Sequence, residues 1–161
     1  LSSLLLESNG ATLGRGTRIK HSFLIDNAVT DETSTDDFSH LVTGENCYVG
    51  DLTYVNPADE VRFGDNVVVS GSVSIVTHAD CNRSPVSRHF PREQGPVHID
   101  DGEWIGFGAT IMHSVTVGEQ AVVAAGSVVR DDVEPGTIVG DTPAEQIGEV
   151  GGSAPPARSE E

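Results

Sequence analysis

The stretch "IDDGEWIGFGATIMHSVTVGEQAVVAAGSVV", residues 99–129, decides the fold. Aliphatic residues recur at Ile99, Ile105, Ile111, Val117, Val123 and Val129, six apart without a slip. Four places after each stand Glu103, Ala109, Val115, Ala121, Ser127 and Val133, mostly small or branched. The position directly after the aliphatic is often Asp, Gly or Ala, as at Asp100, Gly106, Gly118 and Ala124. A period of six matches neither the 3.6-residue turn of a helix nor simple strand alternation. It matches very short strands joined by sharp corners, where small residues let the backbone turn tightly. The aliphatic then points inward and stacks on its counterpart one coil away. Three such hexads make one triangular coil of 18 residues.

The same register runs upstream. Leu13, Ile19 and Ile25 form one triplet, Phe63, Val69 and Ile75 another, and Thr43, Val49 and Val55 a weaker third. The pattern predicts an all-β chain, a parallel β-helix of about five coils over residues 1–147. It is interrupted by an acidic insert at 31–42 and by a loop extruded at about 81–96. Residues 148–161 are expected to form a disordered tail, with linker composition from Gly151 to Glu161. The period leaves the handedness open.

Composition narrows the function classes. The net charge is −16, from 25 acidic residues against nine basic ones, of which Lys20 is the one lysine. Such a surface argues against nucleic acid or an anionic membrane as partner. It suits a salt-loving source, because the screening length falls to roughly 3 Å at 1 M salt. Cys47 and Cys81 form no disulfide framework or CxxC site. No apolar run approaches the length of a membrane span, and "LSSLLLE" at the start lacks the basic leader of a signal peptide. The reading is a cytoplasmic protein.

Particular residues carry a resemblance. From Val97 onward the chain shows Trp104-Ile105-Gly106, then Ala125-Gly126-Ser127, Pro135-Gly136 and Pro143-Ala144. Upstream stands "GENCYVGDLTYVNPADEVRFGDNVVVSGSVSIVTHAD". Over Thr43 to Ile147 this resembles hexapeptide-repeat acyltransferases of the maltose/galactoside O-acetyltransferase type. The resemblance implies a left-handed β-helix, a homotrimer, and acceptor and coenzyme A sites between neighbouring subunits. It also implies a catalytic histidine just before an extruded loop. His78 stands there.

His78 is therefore the candidate general base, since imidazole titrates near neutrality. Asp80 is a candidate to orient that imidazole or meet the acceptor. The resemblance points to Trp104 at the acceptor or thioester end, and to Asp51, beside Gly50, where the family has its acceptor-contacting asparagine or aspartate. Gly106, Ala125 and Gly126 match the family's coenzyme wall. Arg83, Arg88 and Arg92 give the loop a local charge of about +2 against Glu93, suited to coenzyme phosphates or to pairing with the acidic body. Asp131 and Glu145 stand where the family commonly has basic residues near the coenzyme phosphates, with Arg130 as the adjacent substitute. The family's helical N-terminal segment has no counterpart.

The expected co-substrate is acetyl-CoA, the expected acceptor a sugar or similar small hydroxyl compound, and no metal is expected. Three other readings compete: a non-catalytic trimeric scaffold, transfer to an amine, and a gamma-class carbonic anhydrase-like metalloenzyme. The last needs a His-x4-His pair and three convergent ligands. His21, His40, His78, His89, His98 and His113 offer no such spacing. The charge balance gives a first prediction. The melting temperature should rise between low and molar salt as repulsion is screened, and equal stability in both would contradict a salt-adapted surface.

Overall fold

A computed structural model describes residues 3–26, 37–82 and 84–152. A short helix, α1 (Ser3–Ser8), precedes the first coil and buries Leu6 against it. This one piece of helix was not expected. Five coils follow, each with three very short strands. They are β1 (Thr12–Leu13), β2 (Arg18–Ile19) and β3 (Leu24–Ile25), then β4 (Leu41–Thr43), β5 (Tyr48–Val49) and β6 (Tyr54–Asn56). The third coil has β7 (Val61–Phe63), β8 (Val68–Val69) and β9 (Ser74–Val76). A hairpin of β10 (His78–Ala79) and β11 (Glu93–Gln94) then leaves the stack, with a short 3-10 helix at Pro85–Arg88 in its loop. The stack resumes with β12 (Val97–Ile99), β13 (Trp104–Ile105) and β14 (Thr110–Ile111), then β15 (Thr116–Val117), β16 (Val122–Val123) and β17 (Val128–Val129). Finally β18 (Thr137–Gly140) adds to the second face, and β19 (Glu145–Glu149) folds back on it antiparallel.

The strands stack as three parallel sheets, the faces of a prism. The register is the sequence period: Ile99 pairs with Val117, Ile105 with Val123 and Ile111 with Val129, each one coil on. All six of these aliphatics are at most 1% exposed, as are Val69 and Ile75 in the coil above. Fully burying one such side chain stabilises by roughly 1.5–3 kcal/mol, so the column is the core. Corner residues adopt left-handed backbone where each turn demands it, as at Asn66, Ser114 and Gln120. At Gly106 the coils approach so closely that a Cβ would lie 2.6 Å from the Ala125 amide nitrogen.

Two expected boundaries shift. Leu41 and Val42, counted with the acidic insert, belong to β4 and pair with Val61 and Arg62. The border at 147/148 falls inside β19, so strand pairing continues into the stretch expected as tail. The rest of that insert up to 36, and the tail from 153, lie outside the described residues.

Glu103 breaks the apolar column. It occupies the same inward place as Ala109 and Ala121 and is 1% exposed, and neither carboxylate oxygen has a hydrogen-bond partner among the described residues. Burial pushes its carboxyl up to about 7, with Asp100, Asp101 and Glu119 adding to the effect. A raised carboxyl favours the folded state fully below the ordinary pKa near 4.5. That stability is lost as pH rises through about 7. Glu103→Gln should therefore stabilise the protein at pH 8 by roughly 1–3 kcal/mol. At pH 4 it should change stability little. Urea melts at the two pH values measure this, and an equal effect at both contradicts it.

Candidate active site

The prism has three edges, and the candidate residues divide among them. One edge joins the third face of each coil to the first face of the next. In the second coil it carries Asn56, at the end of β6. In the third it carries His78, where β10 departs. The carbonyl of Asn56 accepts hydrogen bonds from the Thr77 amide (3.3 Å) and the Thr77 hydroxyl (2.7 Å). Thr77 is fully buried, and its own carbonyl accepts from the Gly95 amide at 2.9 Å. The buried threonine thus clamps the second coil, the third coil and the returning strand of the loop together. The clamp sets Asn56 and His78 side by side.

His78 is not a solvent-facing corner residue: its side chain is only 12% exposed. Its Nδ1 lies 2.9 Å from Oδ1 of Asn56, itself 3% exposed. The Asn56 amide nitrogen donates to the Tyr54 hydroxyl at 3.3 Å, and that hydroxyl donates to Asp26 Oδ2 at 3.1 Å. Asp80 lies on the other side of the ring. Its Oδ2 is 3.9 Å from His78 Nε2, too far for a hydrogen bond. The same oxygen accepts from Arg92 Nη1 at 3.0 Å, and Oδ1 accepts from the Asn82 amide at 2.9 Å. The expectation that Asp80 orients the imidazole is thus corrected: Asn56 holds that position. Asn56 closes β6 with no spacing signal of its own, so the sequence pattern passed over it.

The loop is a hairpin rooted at His78, which pairs with Gln94 while Ala79 pairs with Glu93. Arg92 ties its two strands through Asp80 and through Gln94 Oε1, at 2.8 Å. One of the loop arginines is therefore engaged by the hairpin's own Asp80 and Gln94. Arg88 ends the 3-10 helix and is exposed, and Arg83 lies outside the described residues. Within the hairpin loop is a cavity of about 290 Å³ lined by Asp80, Cys81, His89, Phe90 and Glu93 among others. Arg130 is exposed on the same edge two coils below.

The remaining candidates are elsewhere. Trp104 is 55% exposed on the outer side of the second face, in register with Val68 and Val122, and its indole N–H donates to Ser70 Oγ at 3.1 Å. Tyr48, Val68 and Phe107 are exposed nearby in the sequence of coils, at 38%, 40% and 63%. Asp51, Gly106, Ala125 and Gly126 lie on the edge between the second and third faces. A Cβ at Gly126 would meet nothing, so the wall there is bare, whereas stacking alone already requires glycine at Gly106. Within one chain, His78 is thus separated by the width of a face from Asp51, Gly106, Ala125 and Gly126, while Asp80 and Arg130 share its edge. Among the described residues no group of three or more His, Cys, Asp and Glu side chains could hold a metal ion. No helix among them is long and apolar enough to cross a membrane.

Comparison with known proteins agrees with this architecture. No family model matches the chain. A putative acetyltransferase of Schizosaccharomyces pombe is 34% identical over 91 residues, covering 56% of this chain and 44% of the relative. The galactoside O-acetyltransferase of Escherichia coli is 28% identical over 113 residues, covering 70% of this chain and 55% of the relative. The chain thus spans about half the length of these relatives. Among solved structures, a hexapeptide-repeat containing acetyltransferase from Vibrio cholerae, complexed with acetyl coenzyme A, superposes with a TM-score of 0.76 at 26% identity. The match covers 92% of this chain and 75% of that one. The chain is similar to hexapeptide-repeat acetyltransferases in sequence and fold, and its fold is the left-handed parallel β-helix.

The hairpin geometry yields a prediction. Arg92→Ala should speed trypsin cleavage in the loop, at Arg88, while changing the stability of the coils by less than about 1 kcal/mol, as for other partly exposed ion pairs. Unchanged cleavage would mean that Arg92 does not tie the loop.

Proposed function

We propose that this protein is an acetyl-CoA-dependent O-acetyltransferase acting on a sugar or similar small hydroxyl compound, with His78 as general base. The observation that carries the reading is the largely buried His78 side chain at the root of the loop, held at Nδ1 by Asn56. His78 Nε2 takes the hydroxyl proton of the acceptor as its oxygen attacks the thioester carbonyl. The tetrahedral intermediate collapses with cleavage of the carbon–sulfur bond. The imidazolium returns the proton to the departing sulfur, giving free coenzyme A and an acetyl ester. Backbone N–H groups at the bare corner are the donors for the developing oxyanion.

The site is formed between subunits of a homotrimer. Two features support this: the separation of His78 from Trp104, Asp51, Ala125 and Gly126 within one chain, and the exposed apolar residues around Trp104. Trp104 and Asp51 of one subunit then meet the acceptor beside His78 of the next. The wall at Gly106, Ala125 and Gly126 receives the pantetheine arm, and Arg130 and Arg88 receive the phosphates. Arg83 belongs to the same proposal by its position in the sequence. Asp80, fixed by Arg92, borders the acceptor. The proposed catalytic domain takes in the coils and β19, which carries its end from 147 to Glu149, and acetyl-CoA as co-substrate fits the cytoplasm. The similarity to the Escherichia coli galactoside O-acetyltransferase supports the choice of a sugar hydroxyl.

The test is a screen of hydroxyl and amino acceptors with acetyl-CoA, following thiol release, on the parent chain and on His78→Ala. The expected result is turnover with a sugar hydroxyl and a loss of about 10²–10⁴-fold in kcat in the variant. Calorimetry should show acetyl-CoA binding retained in both. Full activity in the variant removes His78 as base. Turnover with amines alone corrects the acceptor, and absence of acetyl-CoA binding at millimolar concentration leaves the scaffold reading.

A further inference from the structure

We infer that Tyr54 and Asp26 are positioning residues that fix the tautomer of His78 by fixing which way the Asn56 amide points. The inference rests on the proposal that His78 is the base, but it concerns the proton on the ring and is testable without turnover. The line of contacts is His78 Nδ1 to Asn56 Oδ1 at 2.9 Å, Asn56 Nδ2 to the Tyr54 hydroxyl at 3.3 Å, and that hydroxyl to Asp26 Oδ2 at 3.1 Å. It descends from the end of β3 through β6 to the root of the loop.

Donors and acceptors along this line can be counted. An ionised carboxylate only accepts, a phenol has one proton, and a carboxamide has one donating and one accepting end. Burial, together with the Asp26 charge, pushes the Tyr54 phenol above its ordinary range, so it keeps its proton at neutral pH. That proton goes to Asp26. The phenol oxygen is then left as an acceptor towards Asn56, and the amide must turn its NH₂ to it. The Asn56 oxygen therefore faces His78, and only a ring with its proton on Nδ1 can donate to it. In the neutral imidazole this puts the lone pair on Nε2. With the amide reversed, its oxygen would face a phenol oxygen at 3.3 Å whose proton points away. Asx amides and imidazole tautomers are set by such networks rather than by shape.

The arrangement matters because a base needs its lone pair at the nitrogen that meets the acceptor. Nε2 is the nitrogen on the Asp80 side, 3.9 Å from Oδ2, where the loop cavity begins. Among the described residues, Asp80 faces that side, and Arg92 pairs with it. Asn56 cannot choose a tautomer by itself, because a lone carboxamide satisfies either one by rotating. Along this line of contacts the bias comes from the carboxylate at Asp26, relayed by one phenol. A direct aspartate partner would make the choice without help, so the relay belongs to the use of asparagine at this place.

The test combines imidazole nitrogen NMR with kinetics on the full chain. With ¹⁵N-labelled histidine and a pH above the ring's titration, the His78 signals, assigned by their loss in His78→Gln, should report a proton on Nδ1. Tyr54→Phe and, separately, Asp26→Ala should give mixed tautomers. They should also lower kcat roughly ten- to hundred-fold with the KM for acetyl-CoA unchanged, less than the ~10⁴-fold loss where a partner imposes the wrong tautomer outright. In an Asn56→Asp background the carboxylate holds Nδ1–H directly. There, adding Tyr54→Phe should cost nothing further. An Nε2–H ring in the parent chain overturns the inference, as does an unchanged tautomer in both single variants, or a Tyr54→Phe penalty that persists with Asn56→Asp. If the tautomer shifts as expected while His78→Ala remains active, the relay stands and the base assignment fails.

Discussion

Closing each coil in three six-residue sides is the constraint from which the rest of this structure follows. Ile99 can lie on Val117, and Val117 can repeat the pattern, only if every side spends two or three residues on a strand and the rest on a corner. The parallel ladder makes this cooperative, since a slip of one residue in any coil would turn a whole column of aliphatics outward. The interior is thin, made of Val, Ile and Ala, and has little room for polar groups. Glu103 is the one acidic side chain buried there among the described residues, and it retains its proton more readily as a result. Long excursions of the chain are possible only at a corner. The acidic insert and the basic loop both leave from the same edge, after the third face of their coils.

That geometry also separates the chemistry. Outward side chains on a flat face, such as Trp104, and those on an edge, such as His78, cannot meet across the prism that holds them apart. On the proposed reading, one chain therefore presents two half-sites. A catalytic cleft requires that an edge of one copy oppose a face and edge of another, which on the proposed reading is why the protein is a trimer. The loop is stiffened at its root by Arg92 and Asp80 and carries its exposed Phe90 outward from that edge. Its two described arginines do not act alike. Arg92 is held by the chain's own acid, while Arg88 remains exposed on the short helix.

The architecture was almost wholly legible in the sequence because the coil repeats one decision many times. Each of Ile99, Ile105, Ile111, Val117, Val123 and Val129 is where the period puts it, and five coils are present. Boundaries were less legible. Leu41 reads as part of an acidic insert yet pairs with Val61, and Glu149 reads as linker yet closes an antiparallel edge. The site was legible in part. His78 announced itself by standing where the repeat breaks. Its true partner did not, because Asn56 is 22 residues away in sequence and is brought near only by coil stacking and the Thr77 clamp. Asp80 was the natural guess from proximity in sequence, but its carboxylate accepts from Arg92 and the Asn82 amide and stops 3.9 Å short of Nε2.

The central claim is that an edge of one copy and a wall of another make each site, and subunit mixing tests it most directly. His78→Ala removes one half-site, and Ala125→Trp fills the other. Each variant assembled alone should be inactive. When the two are unfolded together and reassembled at equal ratio, random assortment gives about a quarter of the sites two intact halves, and about a quarter of the parent activity should return. If the mixed assemblies stay as inactive as either variant alone, each chain carries its own complete site and the account is contradicted.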